Sequence, residues 1–157
     1  MKAMTTYLNF DGTTNEAMQF YQKCLGGDLH IMPFSEVPGD YPKEAKNRTM
    51  HARLAVGPLT VMASDIMPGM PFHQGNNFSI CLDCESVDEI ERLFGALGAG
   101  GKPIMPLHDA FWGARFGMVL DKFGVSWMFN FEKPKPRHQT LSNEMQKGNS
   151  PICIQND

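Results

Sequence analysis

The alternation of apolar and polar positions is strongest in three stretches. In Met50-His51-Ala52-Arg53-Leu54-Ala55-Val56 every even position is apolar. Side chains of a strand alternate between its two faces, so this pattern predicts a strand with the even set packed under helices and His51, Arg53 and Ala55 on the other face. In Asn77 to Leu82 the apolar set is Phe78, Ile80 and Leu82, leaving Asn77, Ser79 and Cys81 opposite. In Val125 to Phe131 it is the odd positions, leaving Ser126, Met128 and Asn130. Helical periodicity marks two further stretches. Glu16 to Leu25 carries Ala17, Phe20, Tyr21 and Cys24 along one stripe and stops at Gly26-Gly27. Val87 to Leu97 runs into Gly98 to Gly101. Strands are predicted at Thr6–Phe10, Leu29–Phe34, Arg48–Val56, Leu59–Ala63, Phe78–Leu82, Lys102–Leu107, Gly113–Leu120 and Val125–Phe131. Ser35 to Lys46 reads as a loop and Ile66 to Gly75 as a connector. Each half therefore reads β-α-β-β-β.

The halves share a register. Thr13 and Ser86, Glu16 and Glu89, and Ile31 and Ile104 are each separated by 73 positions. Both helices are expected to open on a capping box, a hydroxyl residue followed three positions later by Glu, which pairs backbone N–H groups that a helix start leaves free. Both halves exit through Ile-Met-Pro. Such a repeat predicts two copies of one supersecondary unit in a single fold. After Phe131 the pattern is lost: residues 132–157 are polar, contain three Pro, and are expected to form a tail outside the core.

At 157 residues with net charge −3, the chain has no basic stripe, which argues against nucleic acid, and no apolar run long enough to span a bilayer. A soluble cytoplasmic protein is the expectation. Twelve Met and eleven Phe would serve as core filler or line an adaptable apolar pocket. Cys81-Leu82-Asp83-Cys84 matches C-x-x-C, but it falls on a predicted strand and lacks a second pair, so neither a zinc site nor a redox pair is expected.

Particular residues carry a family resemblance. Tyr7-Leu8-Asn9-Phe10-Asp11-Gly12, Ala17-Met18-Gln19-Phe20-Tyr21, Met50-His51-Ala52 and Met62-Ala63-Ser64-Asp65 resemble the PhnB-like branch of the vicinal-oxygen-chelate superfamily. Asp109-Ala110-Phe111-Trp112-Gly113 with Phe116-Gly117, and Asp121-Lys122-Phe123-Gly124-Val125-Ser126-Trp127-Met128, continue the match. That superfamily includes glyoxalase I, bleomycin-resistance proteins and extradiol dioxygenases. The resemblance implies an α+β fold over residues 1–131: two tandem βαβββ modules, at about 4–65 and 76–131, whose mixed sheets curl around a shared cavity with helices on the convex face. It also implies a homodimer. In metal-using relatives four strand positions supply His, Glu or Gln. The resemblance carries these onto Thr6, Val61 or Met62, Asn77 or Ser79, and Met128, where no His, Glu or Asp stands. No metal and no other cofactor is expected.

The candidate ligand-binding set is His51, Arg53, Asn77, Ser79 and Arg115 as polar anchors, with Trp112 and Met128 as apolar walls. Arg53 follows Ala52, and Arg115 follows Ala114, in corresponding strands. If both face the cavity, they favour an anionic ligand, because an Arg fork pairs with carboxylate or phosphate at two points. His51 has the side-chain type suited to proton transfer near neutrality. No nucleophile motif is present, so enzymatic activity stays open. The leading expectation is a protein that binds a small organic molecule, anionic if both arginines face the cavity, without a catalytic metal. Two alternatives remain. One is a divergent enzyme: a metal-dependent lyase or dioxygenase, or a demethylubiquinone-type methyltransferase, the label this branch often carries, though the chain has no Gly-rich strand-to-helix loop for such a cofactor. The other is a dimeric structural or regulatory protein with no small-molecule site.

Overall fold

The computed structural model of the chain describes residues 4–133. The expected tail at 132–157 lies outside the described residues, apart from its first two positions. The elements are β1 (Thr6–Phe10), α1 (Thr14–Leu25), β2 (Asp28–Pro33), β3 (Thr49–Val56), β4 (Leu59–Asp65), β5 (Ile80–Asp83), α2 (Val87–Gly98), β6 (Lys102–Asp109), β7 (Ala114–Leu120) and β8 (Ser126–Glu132). Two short 3-10 turns, Phe34–Glu36 and Lys43–Ala45, punctuate the predicted loop. The helices fall at 14–25 and 87–98, so the spacing of 73 seen in the sequence is the spacing of the helices.

Each module forms a four-stranded mixed sheet, in the orders β1-β4-β3-β2 and β5-β8-β7-β6. The first and last strands of each module pair in parallel, Thr6 beside Val61 and Ile80 beside Trp127, while the other pairings are antiparallel. One core lies beneath both helices. It joins Leu8, Tyr21 and Leu54 of the first module to Ile90, Trp127 and Phe129 of the second.

The helix starts differ. Ser86 accepts from the Glu89 amide at 3.1 Å, and Glu89 reaches back to the Glu85 amide at 2.8 Å, so the second capping box forms, shifted by one residue on its return bond. The first does not form: Thr13 makes no side-chain cap. Asp65, at the end of β4, takes its place. One carboxylate oxygen accepts from the Gly12 amide at 2.8 Å, the Thr14 amide at 3.1 Å and the Thr14 hydroxyl at 2.7 Å; the other accepts from the Thr49 amide at 2.8 Å. A charged acceptor can satisfy several donors where a hydroxyl satisfies one, so the buried Asp65 displaces the local cap and ties α1 to β3.

A second buried carboxylate joins the modules. Asp121, only 3% exposed, accepts from the Tyr21 hydroxyl (2.7 Å), Trp127 Nε1 (2.8 Å), and the Phe123 (2.8 Å) and Val125 (2.9 Å) amides. Tyr21 and Trp127 also pack edge-to-face, with ring centroids 5.2 Å apart. Burial, and then the neighbouring Asp121 charge, hold the Tyr21 hydroxyl well above the ordinary tyrosine range, so it stays a donor.

Candidate functional site

The parity of each strand decides what reaches the side of the sheets away from the helices. On β3, Ala52 and Leu54 are fully buried, and His51 and Arg53 take the other face. On β8, Val125, Trp127 and Phe129 are buried, and Ser126, Met128 and Asn130 face away. Three expectations fail. Thr6 shares the helix face with Leu8 and Phe10 and sits beside Val61 there, so β1 presents Tyr7 and Asn9 instead. Val61 is likewise a core residue, and Met62 takes the open face. Phe78 precedes β5 and is exposed instead of packed under a helix.

The fourth correction is Arg115. It lies beside Phe131 on the helix face of β7, its guanidinium 2.8 Å from Glu91 on α2 and 3.4 Å from Asp109. Gly117 is on that same face. A Cβ there would sit 2.8 Å from Leu107 and 2.9 Å from Phe94, which is why glycine is needed. Phe116, Met118 and Leu120 therefore project to the open side. The two arginines face opposite sides of their sheets, and the paired cation clamp does not form.

A cavity of about 480 Å³ opens where the two sheets meet. From the first module it is lined by Tyr7 and Asn9, and from the second by Ser79, Ser126, Met118 and Leu120. The connector supplies Phe72, His73, Gln74 and Phe78 as a strap. Ser79 and Ser126 face each other across the β5–β8 pair with their hydroxyls 2.7 Å apart. Gln74 pins the strap by donating to the Phe123 carbonyl at 2.7 Å. It lies directly over Gly124, whose φ of +79° and contact with the Gln74 amide leave no room for a side chain.

Of the seven candidate residues, Ser79 alone lines this cavity. His51 stands on the open face of the first sheet with Nδ1 3.4 Å from the Tyr7 hydroxyl, so it touches the cavity wall through Tyr7. Arg53 is on the same face, exposed, beside His30 and Met62 in register, and has no carboxylate partner among the described residues. Asn77 is exposed in the connector. Met128 sits between Cys81 and Met118 on the open face of the second sheet. Trp112 is exposed in the β6–β7 turn, edge-on to Phe111 at 4.9 Å and 5.9 Å from the Phe116 ring. Sequence reasoning missed Tyr7, Asn9, Ser126 and the strap as lining. Ser126 was legible from parity; the strap had no periodicity to betray it.

The open face along the two parallel strand pairs holds Tyr7 and Met62 in the first sheet, and Met128 with the adjoining Ser79 in the second. Among the described residues no three His, Cys, Asp or Glu side chains are grouped so as to hold a metal ion. Hydroxyl and thioether groups without a carboxylate or imidazole cluster do not suit a divalent ion. Burial, with Glu89 and Asp83 nearby, pushes the Cys84 thiol up to about 11, and burial raises Cys81 as well, so neither is a ready thiolate. No helix among the described residues is long and apolar enough to cross a membrane.

The profile of the family described as 3-demethylubiquinone-9 3-methyltransferase matches residues 2–129. The chain is similar to the protein YjdN of Escherichia coli (strain K12), 35% identical over 145 residues, covering 85% of this chain and 97% of that one. Its structure is similar to that of PA1353 from Pseudomonas aeruginosa, with a TM-score of 0.79 at 44% identity over 85% of this chain and 100% of that chain. A PhnB protein from Bacillus cereus matches with a TM-score of 0.63 at 27% identity, over 83% and 99% of the two chains. The fold extends to a glyoxylase/bleomycin resistance protein/dioxygenase domain from Frankia, with a TM-score of 0.61 at 12% identity over 85% and 98%.

Proposed function

The chain belongs to the PhnB-like family, described as 3-demethylubiquinone-9 3-methyltransferase, within the vicinal-oxygen-chelate superfamily, and from that premise we propose that it binds a small organic molecule without a protein-held metal. The observation that carries this reading is the cavity of about 480 Å³ between the modules. It has the size and make-up of a ligand site, with apolar walls and a few convergent polar groups. Tyr7, Asn9, Ser79 and Ser126 orient the ligand; Phe72, Phe78, Met118 and Leu120 enclose it. His51 stands behind the wall, its Nδ1 3.4 Å from the Tyr7 hydroxyl. The lining gives no support to methyl transfer: a sulfonium donor is a cation, and no carboxylate lines the cavity to receive it.

Large apolar side chains left exposed outside the cavity, among them Met50, Met70, Met105, Phe111 and Trp112, support association of two copies. A monomer mass by light scattering at micromolar concentration would remove that part of the proposal.

The experiment is a thermal-shift screen of small organic molecules followed by calorimetry. A ligand that binds only the folded chain at about 100 times its dissociation constant adds roughly 2.7 kcal/mol. A true cavity ligand should weaken with Ser126→Ala and be lost with Met118→Trp, which fills the space. Ligands indifferent to both substitutions bind elsewhere and would sink the assignment. Elemental analysis showing one retained ion per chain would overturn the metal-free part.

A further inference from the structure

We propose that the cavity selects an uncharged, planar molecule carrying a carbonyl or amide oxygen, and turns away the carboxylate of the same shape. The inference rests on the small-molecule reading above and names the chemistry of that ligand. None of the lining residues is Asp, Glu, Lys or Arg. Lys102, in register with Leu120 across β6–β7, is exposed and outside the lining, and the other candidate cations are placed elsewhere. Arg115 is on the opposite face of β7, engaged by Glu91 and Asp109. Arg53 is two strands back from Tyr7, outside the lining, separated from it by the Met62 strand. Lys122, in the turn beneath the strap, lies over the Phe20 and Phe123 rings on the helix side, 4.6 Å and 5.2 Å from their centroids. An anion entering the cavity would lose water and meet no Lys or Arg in the lining, where His73 is the one imidazole, and an unpaired charge is far costlier to desolvate than a neutral amide.

The polar groups that are present fit a neutral acceptor. Ser79 and Ser126 are bonded to each other. One hydroxyl donates, and the other keeps its own proton, so the pair offers the ligand a single O–H donor. A carbonyl oxygen needs one such donor. A carboxylate needs several, and at the serine pair its two oxygens would compete for one, with only neutral donors elsewhere in the wall. Asn9, whose Oδ1 is 3.5 Å from the Ser64 hydroxyl, has its amide N–H groups left to meet an acceptor or a ring edge. Phe72, Phe78 and Tyr7 supply flat apolar surfaces, and Met118 a polarizable one, which suits a ring.

The test uses the full chain with benzamide and benzoate, two probes of nearly one shape that differ in charge at neutral pH. Calorimetry should show benzamide binding more tightly by about tenfold or more. Leu120→Lys, which places a cation in the wall at a half-exposed position, should reverse the order; Ser126→Lys is the second site for the same reversal should the first fail to fold. Benzoate binding equally or better in the unaltered chain, and losing affinity with Met118→Trp, would overturn the charge selection while leaving the cavity as a small-molecule site. No binding of benzamide, benzoate or a panel of substituted benzamides at millimolar concentration would remove both.

Discussion

Asp121→Asn tests whether one carboxylate holds the two modules together. The side chain receives four donors, two on each oxygen: the Phe123 and Val125 amides on Oδ1, and the Tyr21 hydroxyl and Trp127 Nε1 on Oδ2. Asparagine has one oxygen. Turned toward the two backbone amides, it places its own N–H₂ against Tyr21 and Trp127. The tyrosine hydroxyl can rotate and accept. The indole N–H can only donate, so it is left unpaired and buried. Loss of a charge-assisted bond costs about 1.5–3 kcal/mol and an orphaned buried donor about 1–3 kcal/mol, with partial recovery by the new Tyr21 bond. We expect a net loss of about 2–4 kcal/mol. For a chain of this length each kcal/mol moves Tm by roughly 2–4 °C, so the midpoint should fall by roughly 5–15 °C. Tyr21→Phe leaves the carboxylate three donors and should cost less, about 1.5 kcal/mol. It should also flatten the alkaline limb of stability. The folded Tyr21 hydroxyl titrates above its unfolded value of about 10, so its contribution is intact below that pH and declines as pH rises past it. Urea melts at neutral and alkaline pH measure all three quantities. An Asp121→Asn protein within about 0.5 kcal/mol of the parent, the range of a neutral surface change, would refute the account.

The two helix starts should respond unequally. Ser86→Ala should cost about 1 kcal/mol, the usual worth of a cap, whereas Thr13→Ala should be nearly silent because Thr13 caps nothing; equal losses in denaturant melts would contradict the Asp65 substitution. Gly124→Ala should destabilise by about 1 kcal/mol or more through its positive φ and, by displacing Gln74, speed proteolysis within residues 70–76; an unchanged cleavage pattern would mean Gln74 does not fasten the strap. Cys84, with its thiol pushed up to about 11, should alkylate with iodoacetamide far more slowly at mildly alkaline pH than a free thiol; mass mapping that finds it fastest among the cysteines would reverse that assignment.

Most of the architecture was legible because periodicity and register agreed. Helix spacing and the open faces of β3 and β8 follow from alternation and from the 73-residue repeat, while the mixed sheets were implied by the family resemblance. The first capping box was not legible, for a reason of distance along the chain. Local pattern proposes Thr13 as the cap, but Asp65 approaches from β4, about fifty residues away, with a charge no local hydroxyl matches. The same holds for Asp121 and Tyr21: each looks ordinary in its own segment, and their contact exists only once both modules fold.

The site was read least well, and β7 shows why. Its bulky residues, Phe116, Met118 and Leu120, are the ones a hydrophobic pattern assigns to the core. They project instead to the open side, because the helix face of β7 is already filled by Phe94 and Leu107, which leave only glycine room at 117. Arg115 follows the glycine's parity and lands on α2, beside Glu91. The alanine-arginine match with Ala52-Arg53 misled because those pairs are 62 positions apart, an even shift, whereas the open face falls on odd positions of β3 and even positions of β7. A ligand site is the place where apolar side chains face away from the core, so hydrophobic parity loses its meaning there first. The seam cavity is built from that inversion: Met118 and Leu120, turned outward on β7, line it together with Phe72 and Phe78 of the strap.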